Sequence, residues 1–198
     1  MCFTVLALWI SRNGGSHMSI QIFILGTLSE EQCHPYDIKK RILKHLDQTD
    51  AKVTEGTIYY NFEVLLKKGL IEKIEIIQTD NRPDKTTYGI TEKGRDALQE
   101  GIYAAFQKFT NVQSLYAALV NLDKVDLHKI AYLIEDILRK LEKRIAYIER
   151  DRPEIEEFEV DLKETLLLMK DHAYHSIQND ITWLQKLLHH VQSRALKK

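Results

Sequence analysis

Residues 53–71 read VTEGTIYYNFEVLLKKGLI, and this stretch decides the predicted fold. Thr54 is placed to cap a helix with its hydroxyl group, and Gly69 is placed to end it. Between them Ile58, Phe62 and Leu65 recur at offsets of three and four, which predicts one buried helix face. A helix of about four turns with a polar and aromatic start is typical of DNA-reading helices, although amphipathic surface helices are common. Its neighbours must therefore decide between the two readings.

Two further helices are predicted before this stretch. The apolar run from Ile20 to Leu28 predicts a buried helix, and His34-Pro35 opens a second one, since proline is tolerated in a first helical turn. The outer side of the second helix carries Lys39 and Lys40 within a basic cluster. Residues 47–52 are polar and predict the turn that leads into the capped helix.

After Gly69 the pattern changes to that of a β-hairpin. Residues 70–77 and 86–90 have the β-branched content of strands, and the polar residues 78–85 between them predict a long turn. Thr91 then caps another helix. Three helices followed by a hairpin are the order of a winged helix-turn-helix, in which the third helix reads base edges while the second helix and the wing contact phosphates or the minor groove.

This arrangement predicts which residues contact DNA. The start of the third helix lies in the groove with its backbone N–H groups toward a phosphate, and cations of the second helix and the wing neutralise phosphates. Two roles stay open for the tyrosines, which either contact phosphate and sugar or cover the core edge. The predicted DNA contacts are Lys39, Lys40, Thr54, Glu55, Gly56, Thr57, Tyr59, Tyr60, Asn61, Arg82 and Lys85.

The same residues resemble a known family. The segments ILGTL at 24–28, HPYDI at 34–38, TEGTIY at 54–59, KGLI at 68–71 and YGITEKG at 88–94 are similar to those of the PadR family of bacterial transcriptional regulators. The resemblance implies a winged-helix regulator that dimerises through a helical C-terminal domain. It also implies a repressor released from a palindromic operator by a small-molecule effector, of aromatic or phenolic type.

The C-terminal half is helical in pattern. One apolar stripe begins after Asp126, and a second runs from Phe158 to Val191 beyond a break at Arg152-Pro153. Such long stripes predict an antiparallel helical pair that packs against a second subunit. The fold class is therefore mainly α with a small β-hairpin wing: a winged helix-turn-helix domain at 18–110 and an antiparallel helical dimerisation domain at 111–198.

Composition limits the function. The formal net charge is −1, and residues 18–110 and 111–198 each carry −1, with 13 Lys and Arg against 14 Asp and Glu in the first and 14 against 15 in the second. DNA-binding proteins usually have a basic excess. A winged-helix adaptor that binds protein is therefore an alternative, and a small-molecule binding protein without a DNA role is a third. Two cysteines, Cys2 and Cys33, make a cytoplasmic location the expectation.

Catalytic, metal and membrane functions have little support in the sequence. We predict no enzyme activity and no cofactor, because neither a glycine-rich phosphate loop nor a nucleophile elbow is present. We predict no metal site, because His172 and His175 share a helix face without a complete ligand set. The apolar segment Met1–Ile10 is too short to span a membrane. Gly15-Ser16-His17-Met18 resembles the scar of an expression tag, so residues 1–17 are predicted to be a non-native leader; the alternative is a native apolar arm.

Overall fold

The computed structural model describes residues 17–43, 54–79, 82–150 and 160–197. Three predicted features lie outside these ranges: the leader apart from His17, the polar turn at 47–52 and the break at Arg152-Pro153. The elements of the described residues are α1 (His17–Glu30), α2 (Pro35–Leu43), α3 (Glu55–Lys67), β1 (Ile71–Thr79), β2 (Arg82–Ile90), α4 (Glu92–Gln107), a 3-10 turn (Val112–Leu115), α5 (Tyr116–Leu119), a 3-10 turn (Leu122–Lys124), α6 (Leu127–Arg150) and α7 (Val160–Ala195).

This order confirms the predicted fold class, a mainly helical chain with one two-stranded antiparallel sheet among the described residues. The chain divides into two compact units. The first comprises the described residues up to Ala105 together with Gln113–Val125, and the second comprises Phe106–Val112 together with the described residues from Asp126. The predicted division into domains at 18–110 and 111–198 stays a prediction.

Residues of α1 form the centre of the first unit. Every residue from Ile22 to Leu28 is buried, as an apolar run without helical periodicity requires. The helix packs against α3, β2 and α5. Its last turn is joined to the segment before Val125 by an ion pair between Glu30 and Lys124. The largest fully buried side chains of this unit are Ile20, Ile24, Ile38, Ile58, Leu65, Ile71, Leu98, Ile102 and Leu115.

Gly69 ends α3 as the sequence predicts. It has a positive φ of 68°, a conformation that costs side-chain-bearing residues free energy. The N–H of Gly69 donates to Leu66 (2.9 Å) and that of Leu70 donates to Leu65 (3.0 Å), which is the hydrogen-bond pattern of a Schellman motif. The reversal directs the chain immediately into β1.

The hairpin differs from the prediction. The expected turn at residues 78–85 is wrong over most of its length, because β1 continues to Thr79 and β2 begins at Arg82. Polar side chains favour a turn, yet antiparallel pairing satisfies backbone groups whatever side chains they carry. The register pairs Ile71 with Ile90 at the base and Thr79 with Arg82 at the far end. A bridge between Cys33 and Tyr88 adds one residue pair to the other side of β2.

The second unit is built on the pairing of α6 and α7. Asp126 caps α6 by accepting from the N–H of His128 (2.8 Å). Gln192 of α7 donates to Glu135 of α6 (3.5 Å), while Glu149 at the other end of α6 lines one cleft with Leu167, so the helices are antiparallel. Buried side chains of both helices form the core: Ile130, Ile134, Ile137, Leu141, Ile177, Ile181, Leu184 and Val191.

The predicted stripe of α7 is buried over only part of its length. Its C-terminal portion is buried, whereas Leu162 and Met169, also assigned to the stripe, are exposed together with Leu168. Leu168 is 73% exposed and Met169 is 63% exposed. Among the described residues, no helix is both long and apolar enough to cross a membrane.

Replacing Gly69 with alanine should lower the free energy of unfolding of the first unit by about 1–2 kcal/mol, because alanine must adopt the left-handed conformation there. A Cβ added at this position would meet no atom within 4 Å, so the loss is conformational rather than steric. Urea denaturation followed by circular dichroism measures it.

Gly69→Asn is the matched control, since asparagine tolerates positive φ better than alanine. Equal stability of the alanine and asparagine variants would contradict this account of the helix end.

Candidate nucleic-acid interface

The N-terminus of α3 is organised by its cap. Thr54 has extended backbone angles (φ −81°, ψ 161°), and its Oγ1 accepts from the N–H of Thr57 at 3.2 Å. The hydroxyl groups of Thr54 and Thr57 are 2.9 Å apart. The remaining N–H groups of the first turn have no partner within the helix, which suits an anion such as a phosphate. Thr54 is therefore a helix cap first, and any DNA contact it makes uses an already ordered side chain.

The exposed face of α3 lies opposite the residues that contact the core. Gly56, Tyr60, Glu63 and Lys67 follow one another at intervals of four, three and four, and all are exposed. Tyr60 is 55% exposed, and Tyr59 lies beside this line. The line holds two predicted contacts, Gly56 and Tyr60, and two residues outside the predicted set of contacts, Glu63 and Lys67. Both could have been identified from the sequence, because they lie on the side of the helix opposite Ile58, Phe62 and Leu65.

Asn61 corrects the prediction for this helix. Its exposure is 0%, and it lies among the core residues rather than on the groove side. Its Nδ2 donates to the carbonyl of Thr57 (2.8 Å), and its Oδ1 accepts from Gln21 Nε2 of α1 (3.1 Å). The expectation that Asn61 reads bases is wrong, because a buried amide whose donor and acceptor are both engaged has no access to a base edge. The residue instead joins α3 to α1.

The base of the wing is held against α3 by an aromatic contact. The rings of Phe62 and Tyr88 meet edge to face with centroids 5.1 Å apart and an interplanar angle of 62°. Burial raises the pKa of the Tyr88 phenol above its ordinary value, and the neighbouring Glu63 and Tyr59 raise it further. Tyr88 is therefore neutral at physiological pH and adds no negative charge beside α3.

The cations of α2 flank an exposed tyrosine that sequence reasoning did not select. Lys40 is exposed, and the ammonium of half-buried Lys39 lies 5.7 Å from the centroid of the Tyr36 ring. Tyr36 is 52% exposed, and its N–H donates to His34 Nδ1 (3.0 Å). The motif HPYDI thus presents a phenol near Lys39, with exposed Lys40 one helical turn after Tyr36, a combination suited to phosphate contact.

The remaining predicted contacts are placed by their backbone alone. Arg82 opens β2 opposite Thr79, and Lys85 pairs with Ile77, so both lie in the distal half of the hairpin. Glu55 begins α3. The side chains of these three residues are outside the described part of the structure. DNA contact by any of the eleven predicted residues except Asn61 stays a prediction.

The histidines of the second unit do not form a metal centre in the part of the chain described. His175 Nδ1 lies 3.2 Å from a carboxylate oxygen of Asp171, one helical turn away. No group of three or more His, Cys, Asp or Glu side chains close enough to hold a metal ion occurs among the described residues.

The buried position of Asn61 generates a prediction. Asn61→Ala should reduce the free energy of unfolding by about 1–3 kcal/mol, because it leaves the side-chain amide of Gln21 without its acceptor. It should leave DNA sequence preference unchanged in protein that remains folded. Thermal unfolding and a binding selection from random duplexes measure the two effects.

Tyr60→Ala is the control, with the opposite pattern expected: little change in stability and weaker DNA binding. A changed base preference in folded Asn61→Ala protein would restore Asn61 as a reading residue.

Comparison with known proteins bears on this site. No curated protein matches the chain. Among solved structures, the chain is similar to Bacillus subtilis PadR in complex with operator DNA (18% identity, 86% of this chain and 98% of that chain, TM-score 0.35). It is also similar to smu.1604c from Streptococcus mutans, with 22% identity over 90% of this chain and 98% of that chain and a TM-score of 0.36. The match to a PadR family transcription regulator from Clostridium difficile covers less of this chain, with 25% identity over 40% of this chain and 78% of that chain and a TM-score of 0.33.

These TM-scores are too low to carry an argument about the whole chain. The assignment depends instead on the model of the transcriptional regulator PadR-like family, which matches residues 24–100. The matched residues include α1 from Ile24, the capped helix α3, both strands of the wing and the first half of α4. Residues 24–100 of this chain thus match the transcriptional regulator PadR-like family.

Proposed function

We propose that this protein is a homodimeric repressor that binds a palindromic operator in the bacterial cytoplasm and leaves it when an aromatic or phenolic effector binds. A regulatory rather than a catalytic role follows from the family. The single observation that carries the DNA-binding part is the capped helix α3, whose exposed face lies beside a hairpin held to it through Phe62 and Tyr88. The effector and its chemical type are supported by the family resemblance alone.

The roles of the site residues follow from their places in the fold. The first turn of α3 offers free N–H groups to a phosphate, while Tyr60 and its exposed neighbours face the major groove. Lys39 and Lys40 of α2 and the two cations of the wing neutralise phosphates. Because the whole chain is nearly neutral, these few cations must supply the electrostatic attraction that other DNA-binding proteins obtain from a basic surface.

Binding to the DNA upstream of the gene that encodes the protein is the direct test. Fluorescence anisotropy with that duplex and with a scrambled duplex, at two salt concentrations, should show tight, salt-sensitive binding to the upstream duplex alone. Equal weak binding to both duplexes would favour the alternative, a winged-helix adaptor for a protein partner. The net charge of −1 and the exposed carboxylate of Glu63 are the observations that favour that alternative.

Arg82 in the wing provides a quantitative test. Arg82→Ala should weaken binding to specific and random duplexes alike, and it should reduce the slope of log affinity against log salt by about one unit for each half-site bound. Titrations over a range of salt concentrations measure the slope.

Lys140→Ala is the matched control, because it removes the same charge from α6, where Lys140 pairs with Asp136 (2.6 Å). An unchanged slope in Arg82→Ala, or an equal change in both variants, would show that the wing does not contact phosphate.

Dimerisation is supported by the apolar side chains that α7 exposes. Leu162, Leu168 and Met169 are large apolar residues on one element, and exposed groups of this kind usually mark an interface. We propose that a second copy covers them, since a symmetric partner also places two α3 helices on successive turns of a palindrome.

Leu168→Glu should therefore shift the protein from dimer to monomer at micromolar concentration, measured by light scattering after size-exclusion chromatography. The control is Gln178→Glu, which adds the same charge at another exposed position of α7. A monomeric wild type, or a Leu168→Glu variant that stays dimeric, would contradict the proposed interface.

A further inference from the structure

We infer that Glu63 selects a cytosine at one position of each operator half-site by accepting a hydrogen bond from the cytosine N4 amino group. This inference rests on the proposed function, since it assigns a reading role within the DNA interface. It concerns a residue that neither the predicted contact set nor the family resemblance selects. It also accounts for a carboxylate on a face that would otherwise repel DNA.

The position of Glu63 on α3 is the first argument. Glu63 is exposed and follows Tyr60 by three residues and Gly56 by seven, so the three lie along one side of the helix over two turns. The opposite side is formed by Ile58 and Leu65, both with 0% exposure. If α3 enters the major groove with its exposed side, Glu63 faces base edges.

The first turn of α3 allows a close approach to the duplex. Gly56 is exposed and has no side chain, and a Cβ added there would lie at ordinary contact distance, 3.8 Å, from Thr54 Oγ1. A bare backbone at this point lets the helix lie deeper in the groove than a larger residue would. This close approach favours a base contact by Glu63, two turns along the same side, because a glutamate side chain is shorter than that of lysine or arginine.

The charge of Glu63 is the third argument. Among the ion pairs of the described residues, none involves Glu63, although Lys67 stands one turn away on the same side. The phenol of Tyr88 interacts electrostatically with Glu63 and is kept neutral. The carboxylate therefore retains its full capacity to accept hydrogen bonds from a partner.

The chemistry of the major groove determines which base that partner is. Guanine offers only acceptors there, and thymine offers an acceptor and a methyl group, so both repel a carboxylate. Cytosine N4 and adenine N6 are donors, but the adenine amino group lies beside the N7 acceptor, which repels the second carboxylate oxygen. A carboxylate thus favours cytosine, and it also weakens binding to sequences that offer no donor.

The test compares Glu63→Gln with the wild type in a selection from duplexes that contain a random core of about 20 base pairs, which spans two half-sites. The wild type should enrich a cytosine at one position of each half-site. Glu63→Gln should lose about tenfold in its discrimination against guanine and thymine at that position. Its preference should move to adenine, because a carboxamide both donates and accepts. Its affinity for random DNA should rise.

Two further variants make the result specific. Glu100→Gln removes the same charge from an exposed position of α4, and it should leave every base preference unchanged. Glu63→Ala should lose the cytosine preference without gaining one for adenine. Circular dichroism confirms that each variant is folded.

The outcomes separate the two proposals. A wild type that enriches a sequence shared unchanged by Glu63→Gln would overturn the role of Glu63 and leave the DNA-binding function intact. A wild type that enriches no sequence, with no salt-sensitive binding, would overturn both.

Discussion

The contact between Phe62 and Tyr88 is the constraint on which the proposed DNA-binding face depends. Phe62 belongs to the buried side of α3, and Tyr88 belongs to β2, so their edge-to-face packing joins α3 to the wing. Tyr88 is also held by its backbone, which exchanges two hydrogen bonds with Cys33 (3.0 and 3.1 Å) just before α2. Tyr88 thus connects α3, the wing and the start of α2, the three elements that the proposed function places on a duplex. Aromatic pairs of this kind contribute about 0.5–1.5 kcal/mol beyond the area they bury.

A second constraint sets the orientation of α3 on the core. Apolar side chains alone permit a helix to rotate or slide by a fraction of a turn, because the hydrophobic effect has no direction. Asn61 removes this freedom, since its amide must meet both Gln21 of α1 and the Thr57 carbonyl. Gly69 acts at the other end, where its left-handed conformation fixes the exit into β1. Residues that lie outside the exposed side of α3 therefore determine which side of the helix is exposed.

The sequence predicted most of this fold because its signals were local. The Thr54 cap, the Gly69 helix end, the apolar run of α1 and the Thr91 cap are each set by residues within a few positions of one another. The sequence-based prediction failed at positions whose structure depends on contacts with distant parts of the chain. Asn61 is a polar residue that is buried because α1 supplies a partner 40 positions away. The hairpin extends into polar residues because its two strands satisfy each other, which no single strand reveals.

The near-neutral charge of the chain bears on how such a regulator would discriminate between sequences. A strongly basic protein gains affinity for every duplex, whereas a few phosphate contacts give weak general attraction and leave more of the total to base reading. An acidic residue on the face that contacts bases would increase the share of affinity that depends on sequence. It weakens binding to most sequences, but not to those that place an amino group opposite the carboxylate. The same composition that argues against general DNA affinity is thus compatible with selective binding. A dimer strengthens this further, because each half-site must satisfy the same carboxylate, and the penalties of two mismatched half-sites add.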